Sequence, residues 1–179
     1  MMGPGGTLEE AIRRERAALH PLREAADRIV DTSRFTAHEI RSFVKNAFGT
    51  GEEGQGPNVR VVSFGFKYGL PAEADLVFDV RFLPNPFFVE DLRRLDGTSP
   101  EVRAFLDGSE DKTAFVKRLR EFLDFLIPLY AAEGKSYLTV ALGCTGGKHR
   151  SVALAEDLGD YLAARGVATG VSHRDLGRE

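Results

Sequence analysis

The segment Gly143-Cys144-Thr145-Gly146-Gly147-Lys148-His149-Arg150-Ser151 sets a thiol, two hydroxyls, an imidazole and two cations among three glycines. An apolar run, Ser136 to Leu142, precedes it and has the pattern of a buried strand. Ser151 to Ala164 follows with the pattern of a helix. A glycine-rich strand-to-helix turn aims backbone N–H groups at one place, at the positive end of the helix dipole. That arrangement holds an anion, such as a phosphate or a carboxylate. Thr145, Gly146 and Gly147 would form the turn, and Lys148, His149 and Arg150 would add side-chain donors.

Two catalytic patterns come close to these residues. A Walker A loop needs four residues between its first glycine and its Gly-Lys pair, then Ser or Thr for Mg²⁺. Here three residues separate Gly143 from Gly147, and His149 follows Lys148, which excludes ATP hydrolysis at this loop. The second pattern is the cysteine–five residues–arginine–serine spacing of cysteine phosphatases, met by Cys144, Arg150 and Ser151. There a thiolate attacks phosphorus while the arginine clamps the phosphoryl oxygens. A helix N-terminus and nearby cations favour the thiolate. The general acid would have to come from another loop, with Asp75, Asp79 and Asp96 as candidates. Three readings stay open at this point: an anion cradle without chemistry, a phosphatase built on Cys144 and Arg150, or a structural turn over a small buried cysteine.

Ligand sites in open α/β sheets gather at the carboxyl ends of strands. Val59 to Phe64 and Leu76 to Val80 read as two further strands, so the residues after them should meet the turn at 143–151. They contribute Lys67, Asp79, Arg81 and Asn85. Each also has a plain structural reading: Asp79 with Arg81 as an ion pair, Lys67 as a solvated loop cation, His149 as a cap on a carbonyl. His173 with Arg174 ends a last strand, Val167 to Ser172, and could face the same crevice. His20 and His38 fall on exposed helix faces.

The elements that must position these groups are legible in the pattern. Thr7 with Glu10 makes a capping box for a helix to about Asp27, with a thin apolar stripe at Leu8, Ile12, Leu19, Leu22 and Ile29. Arg28 to Ser33 reads as a short strand. Thr36 with Glu39 opens a second helix carrying Ile40, Phe43, Val44 and Phe48. Residues 49–58 hold four glycines and a proline and read as a flexible linker. Beyond it, Ser99-Pro100 is an N-cap and N1 pair. Asp111 to Ala132 reads as an amphipathic helix on Phe115, Leu119, Phe122, Leu126 and Leu129, which Pro128 should kink or end. The expected fold is a single α/β domain at 59–179, a mainly parallel sheet flanked by helices, preceded by a helical remnant at 1–48 and the linker at 49–58.

Composition narrows the class. The chain has 179 residues, 42% hydrophobic and 28% charged, as in a soluble globular protein. No apolar run reaches the length of a membrane span, and Met1 to Gly6 lacks the pattern of a signal peptide. One cysteine excludes an internal disulfide and suits a reducing cytoplasm. No metal or cofactor is expected. The net charge of −3 does not advertise a nucleic-acid binder.

Three motifs, Ser63-Phe-Gly-Phe-Lys-Tyr-Gly69, Asp79-Val-Arg-Phe-Leu-Pro-Asn-Pro86 and Gly143 to Ser151, resemble in order the C-terminal domain of the RapZ/YvcJ family. Leu22 to Asp27, Ile29 to Ser33 and the helix to Phe48 resemble the end of that family's P-loop NTPase domain, whose Walker motifs this chain lacks. The resemblance implies a regulatory binding module for a phosphorylated small molecule, an amino-sugar phosphate such as glucosamine-6-phosphate. The phosphate would sit on Thr145 to Arg150 and the amine near Asp79. It further implies an alternative role as an RNase adapter that binds small regulatory RNA and works with a ribonuclease, and self-association into a homo-oligomer. The cations for RNA would be Arg165, His173, Arg174 and Arg178. Enterobacterial members carry a histidine where this chain has Phe87, and their C-terminal end is strongly basic, whereas residues 59–179 here hold 16 Lys and Arg against 18 Asp and Glu.

Overall fold

The computed structural model describes residues 7–33, 35–36, 39–40, 43–44, 47 and 56–178. The expected places of His38 and Phe48, and linker residues 49–55, lie outside them. The chain divides into two compact units, Met1–Gly49 and Thr50–Glu179.

In the first unit α1 spans Leu8–Ala25, opened by the Thr7–Glu10 capping box, and none of its residues is buried. The same reciprocal bonds join Thr36 and Glu39, and the described residues after them, from Glu39 to Ala47, are helical. Arg28 to Ser33 forms no strand. That expectation fails because a strand needs a partner, and the described residues of this unit contain none. Ile29, its larger apolar side chain, is exposed.

The second unit is an α/β sheet of four parallel strands: β1 (Asn58–Gly65), β2 (Leu76–Asp79), β3 (Tyr137–Cys144) and β4 (Thr169–His173). Their order is β2-β3-β1-β4, with all three pairings parallel. Parallel neighbours require long crossovers, and helices supply them. α2 (Pro100–Asp107) and α3 (Glu110–Ala132) lie between β2 and β3, and α4 (Arg150–Ala164) joins β3 to β4. The central strands are buried on both faces, which is why β1 and β3 are near-continuous apolar runs. Val59, Val61, Leu138, Val140 and Leu142 pack with Leu123 of α3 and with Leu154, Leu158 and Leu162 of α4 into the main core.

One expectation about α3 holds and one is corrected. The helix runs to Ala132, as read from the sequence, and carries Pro128 inside it. Proline removes one backbone bond there, but Leu123 and Ile127 on the preceding turn are anchored in the core. The buried face is Lys112, Leu119, Leu123 and Ile127, so of the stripe read from sequence only Leu119 is buried. Phe122 and Leu129 are exposed. Phenylalanines occupy two overlapping helical stripes, and the sequence does not say which one the sheet covers.

Strand boundaries shift in a way that matters for the site. β3 extends through Gly143 and Cys144, because both pair with the end of β1 at Phe64 and Gly65. The turn proper is therefore only 145–149, and Arg150 is already the first residue of α4.

Candidate anion-binding site

The turn is built by close approach of three backbones. A Cβ on Gly65 would stand 2.6 Å from the carbonyl carbon of Gly146, and one on Gly147 would stand 2.7 Å from the nitrogen of Gly65. Gly147 also has φ +76°, the left-handed region where side chains are strained. Only glycine lets the end of β1 lie flat against the turn. Lys67, just past Gly65, donates its N–H to the carbonyl of Thr145 at 3.2 Å. Its side chain is exposed and passes beside Gly146, where a Cβ would lie 4.0 Å from Nζ.

Behind the turn sits Cys144, 3% exposed. Its sulfur accepts the N–H of Gly147 at 3.2 Å and lies 3.1 Å from Oγ of Ser151. The thiol is thus tied into the underside of the loop.

Arg150 is 5% exposed. Its Nη1 donates to the carbonyls of Arg81 (2.7 Å) and Leu83 (3.1 Å), and Nη2 to Oγ1 of Thr145 (3.3 Å). Nε is buried and meets no acceptor among the described residues. Burial lowers its pKa, while the neighbouring Cys144 and Asp79 act to raise it. The guanidinium therefore bolts the segment after β2 to the turn and orients the Thr145 hydroxyl.

Asp79 and Arg81 form the ion pair that the plain reading expected, with Nη2 to Oδ2 at 2.6 Å. Hydrogen bonds from Arg81 hold the Asp79 carboxyl below its usual range, with burial opposing. The Arg81 guanidinium also lies 4.2 Å from the centre of the Phe66 ring, so β1's continuation and β2's continuation meet. Asn85 turns its Oδ1 onto the N–H of Phe87 at 3.3 Å, capping the short 3-10 turn Pro86–Phe88. Its described contacts are local.

His149 is 6% exposed. Burial, then the charge of Lys148, lowers its pKa, while the backbone of Arg93, Leu92 and Leu95 favours the proton. Its Nε2 has no hydrogen-bond partner among the described residues. Lys148 is half-buried, and its carbonyl accepts the N–H of Gly97 at 2.9 Å. The segment at 92–97 is thus a wall of the turn that sequence reasoning missed. Its one signal is Gly97, where a Cβ would meet the carbonyl oxygen of His149 at 2.2 Å.

Asp175 is the other missed residue. It is buried, accepts the N–H of Gly65 at 2.8 Å, and pairs with Arg174 at 2.6 Å and Arg178 at 3.3 Å. Burial pushes its pKa up, but the Arg174 and Gly65 bonds outweigh this and lower it. The four cations proposed for RNA are each engaged within the domain. Arg165 pairs with Asp124, His173 bridges Ser63 and Glu156, and Arg174 and Arg178 close on Asp175. Glu156, His173 and Ser63 line up as in a hydrolase triad, but Ser63 is wholly buried within β1, and the group is a structural tie.

The profile of the RapZ C-terminal domain matches residues 57–177. This chain belongs to the RapZ C-terminal domain family. The match spans the second unit apart from residues 50–56 and 178–179, so the turn, its walls and Asp175 all lie inside the RapZ-type domain. Relatives extend the similarity to the first unit. A nucleotide-binding protein of Anaeromyxobacter sp. (strain K) is 50% identical over 179 residues, covering 100% of this chain and 60% of that protein. One of Caldanaerobacter subterraneus is 46% identical over 174 residues, 97% of this chain and 61% of its own. One of Myxococcus xanthus is 44% identical over 178 residues, 99% and 62%. The chain thus spans about three fifths of the length of these curated relatives. Among the described residues no helix is long and apolar enough to cross a membrane.

Proposed function

We propose that the RapZ-type domain is a regulatory binding module for a phosphorylated small molecule, an amino-sugar phosphate such as glucosamine-6-phosphate. The observation that carries this reading is the turn 145–149 itself. It puts an exposed threonine hydroxyl and a helix N-terminus beside the Lys67 ammonium, on a scaffold fixed by glycine contacts and by Arg150. A phosphate on this turn takes the Thr145 hydroxyl and the N–H groups of the first helical turn, which have no intrahelical partners. Lys67 supplies a mobile point charge. The Asp79 carboxylate, held in its charged form by Arg81 and close enough to feel the charge of Arg150, would suit the ammonium of an amino sugar. Arg150 acts by holding Thr145 in place.

The burial of Cys144 beneath the loop supports binding without turnover. Engagement of Arg165, His173, Arg174 and Arg178 inside the domain supports the metabolite reading over RNA. The relatives are named nucleotide-binding proteins, and a nucleotide also brings a phosphate, so the test must separate the two. Calorimetry on this chain with glucosamine-6-phosphate, glucose-6-phosphate, glucosamine, ATP and GTP does so. Glucosamine-6-phosphate is expected to bind most tightly and glucosamine least. Equal affinity for glucosamine and its phosphate removes the cradle. Binding of ATP or GTP alone replaces the sugar by a nucleotide.

A further inference from the structure

A second concavity, of about 530 Å³, opens between α3, α4 and the end of α2, lined among others by Asp107, Lys112, Lys117, Arg120, Asp157 and Tyr161. Its size falls within the range of small-molecule sites. The charges around it are unevenly matched. The side chain of Lys112, 5% exposed, pairs with Asp107 and lies 2.6 Å from Asp157, and Arg103 also closes on Asp157 at 2.6 Å. Both aspartates are therefore neutralised within the protein. Among the described residues Lys117 and Arg120 form no ion pair with a carboxylate, and of the three acids on the lining Glu121 is the one left unpaired.

Arg120 is held in place nonetheless. Its guanidinium lies 4.5 Å from the centre of the Tyr161 ring. That ring is fixed by its hydroxyl, which donates to Asp124 at 2.7 Å. Nη2 reaches the carbonyl of Asp157 only at 3.5 Å, and Nε is buried with no acceptor among the described residues. A stacked guanidinium with unused donors and no counterion among the described residues is pre-organised for a planar or tetrahedral oxyanion, since little freedom remains to be lost on binding.

We propose that this cavity is a second ligand site, taking a small organic oxyanion, a phosphate or a carboxylate, on Arg120 and Lys117. It does not depend on what the turn at 145–149 binds. The two sites share α4. Asp157 and Tyr161 stand two and three turns beyond Arg150, roughly 10–16 Å along the axis.

The test is an amide-resolved NMR titration of the whole chain with sodium phosphate and, separately, sodium succinate, each against sodium chloride at matched ionic strength. Saturable shifts are expected at residues 113–121 and 157–161, distinct from any at 145–150. A response to phosphate only assigns a phosphorylated ligand, and a response to succinate only assigns a carboxylate. Arg120→Gln should weaken the first set about tenfold or more, as loss of a charge-assisted contact does. Lys117→Gln, on an exposed residue whose loss leaves the fold intact, should weaken it in the same direction. Shifts confined to 145–150, shifts that chloride reproduces, or shifts that both variants leave unchanged overturn the proposal.

Discussion

Arg150 and Lys67 carry the same charge but do different work. Arg150 spends its donors on two backbone carbonyls and a hydroxyl. Removing it leaves buried acceptors unpaired, each worth about 1–3 kcal/mol. Arg150→Ala should therefore lower stability by roughly 2 kcal/mol or more and weaken sugar-phosphate binding with it. Lys67 is exposed, so Lys67→Ala should leave the unfolding free energy from urea melts within about 0.5 kcal/mol of wild type while weakening binding. Urea melts beside calorimetry separate the two, and a stable Arg150→Ala protein with unchanged affinity would remove Arg150 from the site. Cys144 yields a sharper contrast. Cys144→Ser should keep sugar-phosphate affinity, and the wild type should release no phosphate from an aryl phosphate. Turnover that disappears in Cys144→Ser with affinity intact makes the domain a phosphatase.

At the level of elements, the turn depends on strand ends that touch without side chains. Gly147→Ala meets both a positive φ and the nitrogen of Gly65. The cost should be about 1–3 kcal/mol, with loss of binding because the turn must lift off β1; thermal melts and calorimetry report both. The glycines, cations and cysteine of this turn were readable because they are consecutive, and the three strand ends that meet there follow from α/β topology. Asp175 was not readable, since it reaches Gly65 across 110 positions of sequence and no local pattern marks it. Nor was the face of α3. Phe115, Phe122 and Phe125 offer the sheet more than one apolar stripe, and only packing against β2 and β3 selects Leu119, Leu123 and Ile127. The failed strand at 28–33 has the same cause: propensity names a segment, but pairing decides it.

For the whole molecule, acid is the informative stress. The carboxyls of Asp75, Asp79, Asp96 and Asp175 are all held below their usual range, and His149 below its own. For each, the unfolded chain binds the proton more readily than the fold. Stability is therefore complete above the unfolded pKa and falls as pH drops through the folded one. The histidine contribution is lost first, beginning near pH 6.5, and the carboxylate contribution begins near pH 4. Stability measured by urea at stepped pH should begin to decline as pH falls below about 6.5 in wild type, before the carboxylates titrate, and this part of the slope should vanish in His149→Gln. A slope that the variant retains assigns the loss to another group.

The strand order β2-β3-β1-β4 also sets a timetable. Neither β1 nor β2 pairs with the other; each waits for β3. On a ribosome adding about 5–20 residues per second, β1 is complete some 4–16 seconds before its first neighbour has been made. During that interval Val59, Val61, Val62 and Phe64, all interior in the finished domain, have no ladder to join. Sheet formation is thus a single late event, triggered by the same β3 whose last residues, Gly143 and Cys144, lead into the turn. A chain cut at residue 136 should show no sheet in its circular dichroism and should associate as its concentration rises, because the earlier strands have only one another's surfaces to bury.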